Sequence, residues 1–171
     1  MRYSTTTPAG ILWMSPAAAV QAVAMQGARN PAEKDRRWPA MLRKLKGLRK
    51  RGRHSIRIVD ADCGAGELLI HAVRRARELG FVAIEGRGID SDPRLIADAR
   101  QAAARQADPA IGLIFEKADL NRAMREETEF PADLLLCPAC KDDERELAKL
   151  AHAAGETVFW DRPTKHRGEK R

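Results

Sequence analysis

Ile58-Val59-Asp60-Ala61-Asp62-Cys63-Gly64-Ala65-Gly66-Glu67-Leu68 is the stretch that decides the fold of this chain. The residues leading into it, 55–59, are rich in β-branched side chains and predict a strand. Beyond it, Leu68, Leu69, Ala72, Val73 and Ala76 recur at helical spacing until Gly80 stops the pattern. Residues 60–66 are therefore a glycine-bearing turn between a strand and a helix. Glycine lets backbone and ligand approach closely, and the first turn of the helix offers N–H groups that have no partner inside it. A polar or anionic ligand group docks readily at such a turn.

The same alternation continues downstream. A second strand falls within residues 81–89, and Asp92-Pro93 opens a helix over 94–107 that carries Leu95, Ile96 and Ala99 inward. Asp108-Pro109 breaks it, and residues 112–117 read as a third strand. A polar stretch follows at 121–129. Residues 132–136 form a fully apolar fourth strand, 142–154 a crossover helix ended by Gly155, and 156–160 a fifth strand. Strands and helices in this order predict βαβ units, hence a Rossmann-like parallel sheet of about five strands with helices on both faces. Ligands of such sheets bind at the carboxyl ends of the strands, where the strand order reverses.

Upstream lie N-terminal helices. Ser15-Pro16 starts an Ala-rich one that runs to about Gly27. Asn30-Pro31 starts another, in which Trp38, Met41, Leu42, Leu45 and Leu48 make one apolar stripe. Its other faces carry Arg36, Arg37, Arg43, Lys44, Lys46, Arg49, Lys50 and Arg51. The chain thus divides into a basic helical segment at 1–54, an α/β domain at 55–161, and a basic tail at 162–171 that has no period and reads as disordered.

Charge follows that division. The overall +7 conceals +11 over residues 1–59, −8 over 60–161 and +4 over 162–171. A solvated basic helix and a frayed tail are the first reading of that charge. The second is an anionic partner such as nucleic acid or phospholipid, with nucleic acid reached through the region from Arg36 to Arg53. No apolar run approaches the ~20 residues that span a bilayer. Pro16 and Gln21 interrupt the one stretch that imitates a signal peptide, so a cytoplasmic protein with no membrane contact is expected. Three cysteines, Cys63, Cys137 and Cys140, are too few for a disulfide framework.

The chemistry should sit just past each strand. Asp60 closes the first, and Gly88-Ile89-Asp90-Ser91 closes the second, with Asp90 placed 24 residues beyond Gly66. A carboxylate at that distance suits the two hydroxyls of a ribose. Ala118-Asp119-Leu120 follows the third strand, where a carboxylate can accept from an adenine amino group. Each Asp read alone is a turn or cap residue. Three at successive strand ends point to a site.

In order and spacing, these residues resemble the class I S-adenosylmethionine-dependent methyltransferases over roughly residues 55–140. Val59-Asp60 with Cys63-Gly64-Ala65-Gly66 is similar to the first motif of that family. Gly88-Ile89-Asp90 is similar to its second strand end, Glu116-Lys117-Ala118-Asp119-Leu120 to its third motif, and Ala132-Asp133-Leu134-Leu135-Leu136 to its fourth strand. The resemblance implies S-adenosyl-L-methionine as cofactor. It places Asp60, Asp62, Cys63, Gly64, Ala65 and Gly66 against the methionine part, Asp90 and Ser91 at the ribose, Asp119 and Leu120 at the adenine, and Cys137 at the end of the fourth strand. The acceptor and any catalytic side chain stay unassigned.

Three features depart from the family. Asp62 stands where its first glycine usually lies. The pattern ends after about five strands rather than seven, which leaves an apolar last strand at a sheet edge that a second copy or another partner could cover. The loop after the fourth strand reads Cys137-Pro138-Ala139-Cys140 and not Asn/Asp-Pro-Pro-aromatic. These departures support an alternative, a non-catalytic binding or regulatory module with the same fold. A dinucleotide oxidoreductase fits less well, because Leu69 occupies the place of the third glycine. Should strands one and four be neighbours, Cys63 would lie near Cys137 and Cys140. Incidental packing is the first reading of these thiols, with a redox pair or metal site second. No metal is expected.

Overall fold

A computed structural model describes residues 30–139 and 145–161. The helix expected at 15–27, the tail at 162–171 and Cys140 lie outside the described residues. Five strands are present: β1 (Ser55–Asp60), β2 (Ala83–Asp90), β3 (Ile111–Lys117), β4 (Leu134–Cys137) and β5 (Val158–Trp160). They alternate with α2 (Glu67–Glu78), α3 (Pro93–Ala103), α4 (Leu120–Glu127) and α5 (Arg145–Ala154). A single 3-10 turn, Pro31–Lys34, and then α1 (Trp38–Lys50) come before β1. The start signal at Asn30-Pro31 thus yields a short turn, and the helix proper begins at Trp38 with Pro39 in its first turn, where a missing N–H costs nothing.

Every strand pair is parallel, in the order β3-β2-β1-β4-β5. The chain starts in the middle of the sheet, builds outward through β2 and β3, then crosses back to lay β4 against the free side of β1. Asp60 is in register with Gly88 on one side and Leu136 on the other. The reversal of strand order therefore lies between β1 and β4, directly beside Asp60.

Successive side chains of a strand point to opposite faces, and the sheet is buried on both. Ile56, Ile58, Leu134, Leu136 and Phe115 pack with α1, α2 and α3 through Trp38, Met41, Leu45, Leu69, Val73 and Ile96. Val59, Ile89, Leu135 and Cys137 pack on the other face with α4 and α5 through Met124, Leu147 and Ala151. Burying each such large side chain contributes about 1.5–3 kcal/mol. α1 thus spends its apolar stripe on the same core as α2, and its N-terminal end is fixed at the carboxyl end of the sheet.

The polar stretch at 121–129 is a helix in the structure. Asp119 caps α4 by accepting from the Arg122 N–H at 2.9 Å. α4 buries only Ala123, Met124 and Glu127, so no long apolar stripe announces it. The reason is that the sheet surface it covers is itself charged. Glu127, 1% exposed, accepts from Arg57 of β1 at 2.5 and 3.1 Å and is also paired with Arg87 of β2. Arg87 further reaches Glu116 at 2.7 Å, and Arg57 reaches Glu85 at 3.0 Å. A buried carboxylate held by two guanidinium groups replaces the usual apolar contact between helix and sheet.

Candidate functional site

The carboxyl end of β1 delivers Asp60 at 2% exposure. The alternation that sends Ile58 and Val59 into the two core layers leaves this last strand residue at the rim. One of its oxygens, Oδ1, is buried with no hydrogen-bond partner among the described residues. Burial pushes the Asp60 carboxyl up to about 7; Arg37 opposes the shift, and the nearby charges of Asp35, Asp62 and Asp90 add to it. Asp60 thus changes charge near neutrality.

The turn after β1 is built by its glycines. Gly64 has φ +54°, and a Cβ added there would meet nothing within 4 Å. Its N–H donates to Asp90 Oδ2 at 2.9 Å, while Asp90 Oδ1 accepts from the Asp92 N–H at 2.8 Å. Asp90, buried at the end of β2, therefore ties the glycine turn to the neighbouring strand. Gly66 has a different reason to be glycine. Its φ is +79°, and a Cβ there would fall 2.7 Å from the Phe115 ring and 3.2 Å from Ala99. Of the two turn glycines, Gly64 faces open space and Gly66 makes room for the core.

Around this centre, Asp62 and Ser91 are exposed, and Ala65 is half-buried. Desolvation and then the Asp90 charge push the Asp62 carboxyl up from its ordinary value. The side chain of Asp119 is engaged in capping α4, Asp119 is exposed, and Leu120 opens that helix half-buried. The structure brings Asp60, Asp62, Gly64 and Asp90 together; Asp119 and Leu120 stand one strand further out, after β3.

β1 and β4 are neighbours, as the cysteine expectation required, but their thiols diverge. Cys63 packs with the α2 and α3 layer, and Cys137 with the α4 and α5 layer on the opposite face. Burial, then the charges of Asp60 and Asp90, push the Cys63 thiol up to about 12. It is a packing residue at neutral pH. Among the described residues no cluster of His, Cys, Asp and Glu is able to hold a metal ion. Trp38 is a buried core anchor with the His71 ring edge-on at 4.3 Å. Trp160 is only half-buried.

One member of the site escaped the sequence reading. Arg37 was grouped with the solvated face of its helix, yet it sits at the N-cap of α1 and turns inward. It donates to Asp35 at 2.8 Å and to the Cys137 carbonyl at 3.3 Å, at the end of β4. Burial acts to lower its pKa, but Asp35, Asp60 and Asp161 outweigh that and raise it. The only hint in the sequence was Asp35, two residues before it, which turns the Arg37 N–H and side chain back on itself. A fixed guanidinium thus stands beside a buried carboxylate at the strand-order reversal. A cleft of about 550 Å³, lined by Arg53, Arg57, Val82, Phe130, Pro131 and Asp133 among others, opens at the amino ends of the strands, away from all of these groups.

No protein-family model matches the sequence, and no curated protein matches it. Solved structures do resemble the fold. WbdD in complex with a kinase inhibitor aligns with a TM-score of 0.58 at 16% identity, covering 80% of this chain and 31% of that one. The bifunctional kinase-methyltransferase WbdD aligns at 0.55 and 15% identity, covering 75% and 29%. A putative caffeoyl-CoA O-methyltransferase from Staphylococcus aureus aligns at 0.50 and 11% identity, covering 85% and 71%. The chain spans about a third of the WbdD chains it matches. At these identities the likeness shows the fold: a Rossmann-like α/β domain of the kind found in methyltransferases. No described helix is long and apolar enough to cross a membrane.

Proposed function

We propose that the crevice at the carboxyl ends of β1 and β2 binds S-adenosyl-L-methionine and that the chain is a methyltransferase. One observation carries this reading. An open, left-handed Gly64 is held by Asp90 beside a buried Asp60 whose Oδ1 lacks a partner. The groups present fit the cofactor. Each Asp90 oxygen accepts one backbone N–H and retains a lone pair, so the carboxylate can still accept from two ribose hydroxyls. Asp60 offers a free acceptor for an ammonium group, and Arg37 a guanidinium for a carboxylate. Together they match the zwitterionic end of an amino acid. Asp62 is exposed and does not fill the space at Gly64.

When bound, the cofactor supplies a methyl group on a sulfonium that is already activated. The protein's task is then alignment and a polar, preorganised surrounding. The carboxylates of Asp60, Asp62 and Asp90 favour a positively charged ligand. The tie between Gly64 and Asp90 holds the turn in place before any ligand arrives.

Calorimetric titration of the reduced protein with S-adenosylmethionine, S-adenosylhomocysteine and NAD tests the reading. The first two should bind in the micromolar range and NAD should not. Gly64→Val, which projects a side chain into the open space, should abolish binding at a strain cost of about 1–3 kcal/mol. A wild-type protein that binds neither sulfur compound, or binds NAD instead, refutes it. The presence of Arg37 favours a second reading, a non-catalytic module, because its guanidinium already supplies Asp60 with a countercharge. That reading calls for no cofactor binding and for function through another surface.

A further inference from the structure

Between Asp35 and Asp60 the sequence contains no acidic residue. α1 lies in this interval, and its packing divides its residues cleanly. Trp38, Met41, Leu45 and Leu48 are buried, while Arg36, Arg43, Lys46, Lys50 and Arg51 are exposed. Arg43 and Lys50 are seven residues, two helical turns, apart, so they line one side opposite the buried stripe, and Arg36 precedes the cap of the helix. Among the described residues, none of these five forms an ion pair. Arginines elsewhere do so repeatedly, as in Arg53 with Asp133, Arg77 with Asp108 and Arg122 with Glu126. An unneutralised row of cations extends along α1 from Arg43 for about 10 Å, given 1.5 Å per residue, with Arg36 before the head of the helix.

α1 begins at the candidate site, because Arg37 at its head contacts the end of β4. There a cleft of about 560 Å³ is lined by Arg36, Arg37, Ala40, Val158, Phe159 and Trp160. Phe159 and Trp160 are half-buried on the edge strand β5, Phe159 on the α1 side of the sheet and Trp160 on the α5 side beside His152. An aromatic ring next to arginines, at the end of a track of phosphate-binding charge, is the kind of feature that holds single-stranded nucleic acid. Bases in a duplex are already stacked on one another and have no face to offer such a cleft.

We infer that α1 and the β5 cleft form a docking surface for single-stranded nucleic acid, with the phosphates along α1 and a base against Phe159. A membrane fits less well. The apolar side of α1 is consumed by the core, and among the described residues the large exposed apolar ones, Val82, Leu95, Ile114 and Phe130, all lie elsewhere. Docking goes beyond the cofactor chemistry proposed above and is read without cofactor, so the two can fail separately.

The test is fluorescence anisotropy of the full-length protein with a labelled, unstructured RNA oligonucleotide, titrated at several salt concentrations. Single strands lose affinity with a log–log slope of about 0.7 per phosphate contacted. Arg43→Ala/Lys46→Ala/Lys50→Ala should therefore flatten the slope by about 2 and weaken binding at low salt. The control Arg74→Ala/Arg105→Ala/Arg125→Ala, at exposed positions away from α1, should leave the slope unchanged. Phe159→Leu should weaken binding about tenfold at unchanged slope, and its melting temperature reports whether it is folded. If Phe159→Leu does not fold, Arg36→Ala should lower the slope by about 0.7. The change of slope is the readout because residues 162–171 are also basic. Equal losses in the α1 and control variants, equal affinity for a duplex of the same length, or binding to phosphatidylserine vesicles in preference to RNA would each overturn the inference.

Discussion

Asp60→Asn should make the protein more stable at neutral pH while depriving it of cofactor binding. The Asp60 carboxyl stands at about 7 instead of 3.8, chiefly through burial. Three units at 1.36 kcal/mol each set an upper figure of about 4 kcal/mol for the cost of ionising it in the folded state. The sign follows from proton binding. Between the two pKa values the folded chain holds a proton that the unfolded chain has released. The stability linked to this group is full below pH ~4 and is lost as pH rises through about 7. Asparagine has no proton to lose and nearly the shape of the neutral acid. The advantage of the variant should start near zero at low pH, grow by at most about 1.4 kcal/mol per pH unit, and level off above neutrality. The value of about 7 already includes the opposing charge of Arg37, so about 2–4 kcal/mol is expected at pH 8, or roughly 5–10 °C in melting temperature for a domain of this size. Urea unfolding of both proteins at four pH values from 5 to 8 measures it. A gap that does not vary with pH, or a variant less stable at pH 8, would show that Arg37 already neutralises Asp60. In wild type, affinity for S-adenosylmethionine should fall as pH drops below about 7, since an ionised Asp60 is what receives an ammonium group.

The two turn glycines should separate by substitution. Gly66→Ala drives a Cβ into the Phe115 ring and should cost more than about 2 kcal/mol by thermal melting, and Phe115→Leu should restore part of it. Gly64→Ala meets no atom and should cost only about 1 kcal/mol of backbone strain. Glu127→Ala leaves Arg57 and Arg87 without their buried partner and should destabilise by about 3–5 kcal/mol in urea; a loss below about 1 kcal/mol would mean that Glu85, Glu116 and solvent suffice. Cys63, buried and with its pKa near 12, should stay unlabelled by iodoacetamide at pH 8 under native conditions and react fully in urea, as read by mass spectrometry of its peptide. Rapid native labelling would contradict its packing.

The parts of the fold that could be read from the sequence are those where one face meets apolar neighbours. β4 was visible because Leu134, Leu135 and Leu136 serve both core layers at once. α4 was invisible as a helix because it pairs a carboxylate with two arginines from the sheet, and hydrophobic period does not register that contact. The site divides in the same manner. Asp60, Gly64 and Asp90 were legible as candidates because parallel-sheet topology fixes the end of each strand. Gly66 was assigned to a ligand, and its second role, room for Phe115, depends on a side chain 49 residues away that no local pattern reports. Arg37 was counted with its basic neighbours because the helix repeat describes residues inside a helix, and Arg37 is the cap, where the chain has not yet taken up that repeat.

That position of Arg37 sets two opposed fields side by side. At the carboxyl end of the sheet, the charges of Asp35, Asp60, Asp62 and Asp161 act on the one Arg37 guanidinium, a balance that favours a cationic ligand. One residue earlier, Arg36 leads into the unpaired cationic row of α1, which favours an anionic one. A sulfonium cofactor and a polyanionic acceptor would be drawn to adjoining surfaces without competing for either, and each would be repelled from the other's. The two attractions differ in how salt affects them. The crevice charges are buried or close together and are weakly screened, whereas the α1 row faces bulk water, where the Debye length at physiological salt is about 8 Å. Raising salt should therefore release the polyanion long before it releases the cofactor. Measured on one protein sample, that order of loss separates the two surfaces with no mutation at all.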